Sequence, residues 1–164
     1  MAAVLDAAYA EFMPAADTPL TEQQRAAWEG YRADIIDVRS RLDHSDLIVA
    51  VEDSKVLGAV TFYSPHAEVH YPTQAEHAEF PVDWAAFRLL GVHPDERGRG
   101  LGRRLTEECL VRARTHRAPV VGLHTLERMR TAVAMYARMG WVRAPEFDFH
   151  PMANLRVEAH RLDL

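Results

Sequence analysis

Apolar residues recur along the chain in two rhythms. Over residues 2–12, Val4, Leu5, Ala7, Ala8 and Phe12 follow three- and four-residue spacing, which predicts a helix. Pro14, Asp17 and Pro19 mark a loop. Thr21 and Gln24 then stand at the spacing of a capping box, and Trp28, Tyr31, Ile35, Val38 and Leu42 continue as an apolar stripe. Gly30 lies inside that stripe, where it can split the segment into two helices. The rhythm changes at Leu47–Val51 and Val56–Phe62, two short apolar runs joined by Glu52, Asp53, Ser54 and Lys55, and this predicts a β-hairpin. Residues 64–83 carry three Pro and three His without a period and read as a long loop.

The second half alternates strands with helices. Trp84 to Val92 predicts a third strand and residues 101–116 a helix with Leu101, Leu105 and Cys109 on one face. Val120 to His124 follows as a fourth strand, and 127–139 as an amphipathic helix bearing Met129, Val133 and Tyr136. Trp141 and Val142 open another strand, and Leu155 to Leu162 form the last. Such alternation predicts a single α/β domain over residues 1–164, built on a mixed, mostly antiparallel sheet with helices on both faces.

Composition narrows the classes. A chain of 164 residues fits one domain, and its net charge of −5 argues against a general nucleic-acid binder. Cys109 is the only cysteine, which excludes an intrachain disulfide and reads as a small core residue. No run of about 18 apolar residues is present to span a bilayer, and the first residues lack the basic stretch of a secretory signal. A cytoplasmic protein without a membrane partner is therefore expected. The last strand leaves an edge that a second copy would cover, so a homodimer is expected as well.

One segment stands out from this ordinary background. Gly98, Gly100 and Gly102 alternate where the third strand must turn into a helix, and Arg97, Arg99, Arg103 and Arg104 fall within the same eight residues, which contain no acid. Glycine lets backbone amides approach a ligand closely. The first amides of the following helix have no internal partners and favour an anion. A diphosphate accounts for this local surplus of positive charge. A Walker A loop needs Lys then Ser or Thr where this chain has Arg103 and Arg104, and the dinucleotide fingerprint needs glycine at position 103. Both common nucleotide motifs fail.

The segment resembles the acyl-CoA loop of the GCN5-related N-acetyltransferases (GNATs), an Arg/Gln-x-x-Gly-x-Gly/Ala run after a strand and a Val-x-Pro step. Here these are Arg97 to Gly102 and Val92-His93-Pro94. Ala132 to Trp141 is similar to the family's Ala-x-x-Leu-Tyr-x-x-x-Gly-Phe segment, and Arg143 to Asp148 to its Arg-x-Pro-Glu-x-Asp continuation. The resemblance implies a sheet whose central parallel strands splay apart, with acetyl-CoA in the opening. It implies that Leu90, Gly91 and Val92 hold the pantetheine arm. Arg97, Gly98, Arg99, Gly100, Leu101 and Gly102, with Arg103, would cradle the diphosphate. Tyr136 would serve as general acid toward the departing thiolate, since a phenol of pKa about 10 can protonate a thiolate of about 8.5. The Val92 amide would donate to the carbonyl oxygen as it becomes an oxyanion. The implied activity is transfer of an acetyl group to a primary amine by direct attack in a ternary complex, without a metal. The alternative is a non-catalytic acyl-CoA-binding domain.

Three positions depart from the family pattern. Ala86 stands where many relatives have a glutamate base, Met129 where they often have Asn, and the chain opens on a helix rather than a strand. The base is therefore sought among Glu68, Glu79, Asp83, His124 and Asp148, with Glu79 and His124 foremost: the first enters the third strand, the second ends the fourth. A water chain, or an acceptor that loses its proton before binding, would serve in place of such a side chain. His66, Glu68, His70 and His77 invite a metal reading, but Pro65 and Pro72 discourage the helix that would bring His66 and His70 to one face. The resemblance implies a small-molecule or peptide amine as acceptor. Acidic residues across 68–83 and 146–148 favour a cationic one.

Overall fold

The computed structural model describes residues 1–67, 79–152 and 155–164. β1 (Asp46–Glu52) and β2 (Lys55–Tyr63) pair antiparallel around Asp53 and Ser54, whose φ angles of 47° and 65° supply the left-handed turn that a two-residue hairpin requires. β3 (Ala85–Val92) pairs antiparallel to β2 and parallel to β4 (Val120–Leu126). β7 (Leu155–Asp163) runs antiparallel to β4, and both β5 (Val142–Arg143) and β6 (Phe149–Met152) lie against β7. The sheet order is β1-β2-β3-β4-β7-β5, mostly antiparallel with one parallel pair at the centre.

Alternation along β2 shows how the layers form. Val60 and Phe62 face α3 (Leu101–Thr115), which buries Leu105, Cys109 and Ala113 against them, with Tyr136 of α4 (Arg130–Arg138) in the same core. Ala59 faces the other way, toward Leu5, Ala8 and Tyr9 of α1 (Ala2–Tyr9) and Ile35 of α2 (Glu22–Ile36). The expected capping box is formed: the Gln24 N–H donates to Thr21 Oγ1 at 3.2 Å and the Thr21 N–H to Gln24 Oε1 at 3.0 Å. Burial of Cys109 raises its thiol pKa, as befits a core residue.

Several expectations shift in detail. α2 runs unbroken through Gly30, which is exposed, so its cost is the roughly 0.5–1 kcal/mol of a helical glycine and no more. Beyond Ile36 the stripe leaves the helix, and Leu42 sits in a 3-10 turn. α4 starts at Arg130 rather than 127, and β5 at Val142, with Trp141 packed in the core. β6 is an element that the sequence pattern does not announce. Within the 64–83 loop the two described arms meet where the His66 N–H donates to the Val82 carbonyl at 2.6 Å.

Gly91 sets how closely α1 lies on the sheet. A Cβ there would come within 2.9 Å of Ala8 Cβ and 3.0 Å of Leu5 Cδ2. Gly91→Val is therefore expected to lift α1 and cost about 1–3 kcal/mol, the usual range for overpacking, read as a lower urea midpoint.

Candidate active site

Two irregularities at the sheet centre create the site. Between the pairs Thr61↔Arg88 and Ala59↔Gly91, β2 advances two residues while β3 advances three, so β3 carries a bulge. Leu89 takes φ 55°, a costly conformation for a side chain of this kind. The bulge resets the alternation. Ala85 and Phe87 face α3, Leu89 packs with the α1 layer, and Leu90 and Val92 return to the α3 side. Meanwhile β3 and β4 pair only over Ala85↔Val121, Ala86↔Gly122 and Phe87↔Leu123, although both strands continue beyond. They splay.

The gap exposes backbone groups. The His93 N–H donates to the Leu57 carbonyl at 2.8 Å, and in an antiparallel ladder successive residues point their amides to opposite sides. The Val92 N–H therefore turns away from β2, toward the space β4 has left. The Leu90 carbonyl faces the same side and accepts from the Tyr9 hydroxyl at 3.3 Å.

On the α3 side of the gap lies a cleft of about 540 Å³. One wall is Leu90, Gly91 and Val92, continued by Arg97, Gly98, Gly100, Leu101, Gly102 and Arg103. Gly98 and Gly100 have φ of 77° and 76°, and Gly100 is the N-cap of α3 with no side chain closing the first amides. The opposite wall is α4 and its approach, where Arg128, Arg130 and Arg138 join Ala132 and Met135. Five arginines face this cleft against Glu11 and Glu96, in a chain that is acidic as a whole. Some of that charge is already engaged: Arg97 pairs with Glu11 at 2.6 Å and donates to the Ala8 carbonyl at 3.2 Å, and Arg103 pairs with Glu107 at 2.8 Å. The Arg99 side chain turns instead to Glu52 and Glu96 and lines a separate groove beside β1.

On the α1/α2 side of the gap is a second, smaller cavity of about 100 Å³. Trp28 and Tyr31 of α2 form one side, Phe149 and Val157 of the β6–β7 pair another, with Arg88, Leu89, His124 and Leu126 at the base. Tyr9 and Met129 line both spaces, which therefore meet at these two side chains. Arg88, with 9% of its side chain exposed, is held by Asp34 at 3.1 Å, and Asp34 also faces Arg41 at 3.9 Å. Burial pushes the Tyr31 phenol up to about 12 and raises Tyr9 well above the usual tyrosine value, so both remain neutral donors near neutral pH. None of Tyr9, Trp28, Tyr31, Arg128, Arg130 or Arg138 is singled out by a sequence motif. The three arginines had a weak signal in their proximity to the Tyr136 segment.

Tyr136 is only 4% exposed, with its ring against Phe87 and Trp141. Burial first, and the neighbouring Cys109 second, raise its pKa. It is not among the residues lining either space. His124 lines the aromatic cavity; its Nε2–H donates to the Phe147 carbonyl at 3.0 Å, and its ring stacks on Phe80 at 4.6 Å. Glu79 and Asp83 are exposed and line neither space. Burial works against the charge on Asp148, but hydrogen bonds from Arg143 and the Ala159 N–H outweigh it and hold its pKa low. Glu68, His70 and His77 lie outside the described residues. Among those described, no three His, Cys, Asp or Glu side chains gather as a metal-binding group, and no helix is long and apolar enough to cross a membrane.

Known proteins share this architecture. The yncA protein of Salmonella typhimurium, solved with its cofactor acetyl-CoA, superposes with a TM-score of 0.61 over 99% of this chain and 86% of its own, at 18% identity. The ribosomal-protein-alanine N-acetyltransferase of Brucella melitensis gives 0.59 over 99% and 91%, at 16% identity. At such identities the likeness is one of fold. The mycothiol acetyltransferase of Thermobispora bispora is 39% identical over 70 residues, a stretch that spans 43% of this chain and only 23% of that curated relative. The sequence model of the acetyltransferase (GNAT) family matches residues 5–141, most of the chain. The protein belongs to the GNAT acetyltransferase family.

Proposed function

We propose that the protein transfers an acetyl group from acetyl-CoA to a primary amine by direct attack in a ternary complex. The observation that carries this reading is the meeting of two spaces at Tyr9 and Met129, beside a strand whose Val92 N–H faces the gap. The larger, arginine-rich cleft suits a diphosphate and an extended arm. The smaller cavity suits the acceptor. In the reading, the amides of Gly98 to Arg103 hold the diphosphate, helped by the side chains of Arg97 and Arg103, and Arg99 contributes its backbone alone. Leu90, Gly91 and Val92 align the pantetheine. The amine nitrogen attacks the thioester carbon, and the Val92 amide stabilises the oxygen as it gains charge. The carbon–sulfur bond then breaks, and the thiolate takes a proton from a neutral phenol. In this reading Tyr136 fills that acid role because of the segment it occupies, Ala132 to Trp141, although it lines neither space and burial, by raising its pKa, makes it a weaker acid.

His124 is retained as a candidate base because it lies on β4 at the wall of the aromatic cavity. Glu79, exposed and away from both spaces, is the weaker candidate. The test is free-thiol release from acetyl-CoA across an amine panel, with CoA affinity measured alongside. Tyr136→Phe is expected to lower kcat about a hundredfold, the lower range for a lost proton donor, with CoA affinity unchanged. An unaltered kcat in that variant, with a fall in Tyr9→Phe, moves the acid role to Tyr9. CoA binding without thiol release from any amine favours the alternative reading, a non-catalytic acyl-CoA binder.

A further inference from the structure

Resting on the acetyl-transfer reading, we propose that the acceptor is a primary amine on a compact apolar body, a branched alkyl chain or a single ring, which enters as the free base. The inference comes from the walls of the second cavity. Trp28, Tyr31 and Phe149 supply aromatic surface, and Leu126, Met129 and Val157 supply aliphatic surface. The charged group facing the cavity among the described residues is Arg88, a cation, and Asp34 behind it is already shared between Arg88 and Arg41. An ammonium group placed here loses its water and, among the described residues lining the cavity, meets a guanidinium and no carboxylate. Desolvation and like charge both favour the neutral amine. The proposal departs from the cationic acceptor that the sequence suggests: among the described acids of 68–83 and 146–148, Glu79, Asp83 and Glu146 are exposed and Asp148 is tied to Arg143, while Glu68 and Glu76 lie outside the described residues.

Size points the same way. A cavity of about 100 Å³ is smaller than the roughly 150 Å³ apolar cavity that can hold benzene, so it takes a short branched alkyl chain whole, and a single ring only in part, with the rest extending toward Tyr9 and the larger cleft. A multi-ring polyamine would leave most of its body outside the cavity.

Entry as the free base also bears on the absent carboxylate at position 86. The ammonium leaves its extra proton in solvent before binding. Attack then forms the carbon–nitrogen bond, the nitrogen sheds one proton, and the departing thiolate takes up one, so the transfer balances without a dedicated strong base. Among the described residues, the ionisable groups around the cavity are Tyr9 from α1, Tyr31 and Asp34 from α2, Arg88 from β3 and His124 from β4. Both phenols stay neutral over the working range.

The experiment compares phenethylamine and isoamylamine with spermidine and tobramycin in the thiol-release assay. The apolar amines are expected to exceed the polycations at least a hundredfold in kcat/KM. For phenethylamine, kcat/KM should rise with pH toward the amine's own pKa, roughly 10 as for lysine. A fluorinated, less basic amine should move that break with it. Trp28→Ala should raise KM for phenethylamine about tenfold while CoA affinity stays unchanged. Faster turnover of spermidine or tobramycin overturns the inference but leaves acetyl transfer standing, as does a pH break that stays fixed when the amine changes. If CoA binds and no amine releases thiol, the transfer reading fails. Calorimetric titration of phenethylamine into the CoA-loaded protein then decides the cavity: binding that weakens in Trp28→Ala supports it, and no binding overturns it.

Discussion

Asp34→Ala is expected to lower Tm by about 6–12 °C, the largest loss of stability from any single polar substitution considered. The carboxylate lies between two guanidinium groups, at 3.1 Å from Arg88 and 3.9 Å from Arg41, whose side chains are 9% and 4% exposed. Removing it takes the shared carboxylate away from two buried cations. Breaking a buried pair from one side costs about 3–5 kcal/mol. The lower end applies here, because Arg41 keeps its hydrogen bonds to the carbonyls of Asp34 and Ile35. In a protein of this size each kcal/mol moves Tm by about 2–4 °C, which gives the stated fall. Asp6→Ala is the matched control: Asp6 holds Arg32 through two hydrogen bonds of 2.8 and 2.9 Å, but both side chains are exposed, so Tm should hardly move. Equal falls in the two variants would mean that burial is not what gives the Asp34 cluster its weight.

That cluster also shows where sequence reasoning stops. The hairpin at 47–62, the box at Thr21 and the glycine loop announce themselves because each is a local pattern, resolved within a few residues. The wall formed by Leu90, Gly91, Val92 and the loop was legible for the same reason, as one continuous run. The aromatic cavity was not. Its residues come from α1, α2, β3, β4 and the β6–β7 pair, and no spacing rule links Tyr9, Trp28, Arg88 and Phe149. Nor does any residue type at position 89 signal a left-handed bulge, since leucine disfavours that geometry and only the surrounding sheet imposes it. The loop arginines show the opposite failure. Their density in sequence was plain, but the turn of Arg99 toward Glu52 depends on β1 lying alongside.

Gly100→Val should raise the dissociation constant for CoA more than tenfold, with a modest loss of intrinsic stability. Gly100 sits at φ 76° as the N-cap of α3, where its carbonyl accepts the first helical hydrogen bond, from the Arg104 N–H at 3.1 Å. A β-branched side chain in that region costs about 1–3 kcal/mol if the backbone holds. Open space surrounds a Cβ at this position, so no steric contact opposes the change, and the penalty is conformational alone. The loop relieves it by rotating Gly100 toward negative φ, which turns the amides of Leu101 and Gly102 out of their common direction. Anion binding depends on that convergence more than on any one donor. A loss of 1.4 kcal/mol is already tenfold in affinity. Gly102→Ala separates strain from mere loss of glycine: its φ is not positive, and a Cβ there would meet Leu90 Cδ2 and Met135 Sδ at 3.7 Å, ordinary contact distance. That variant should keep its fold and most of its CoA affinity. The pair is read by calorimetric titration with CoA and by the shift CoA gives to Tm. If Gly100→Val binds CoA as tightly as the parent, the main-chain amides of this loop are not what grips the phosphates, and the arginines on both walls of the cleft must hold them instead.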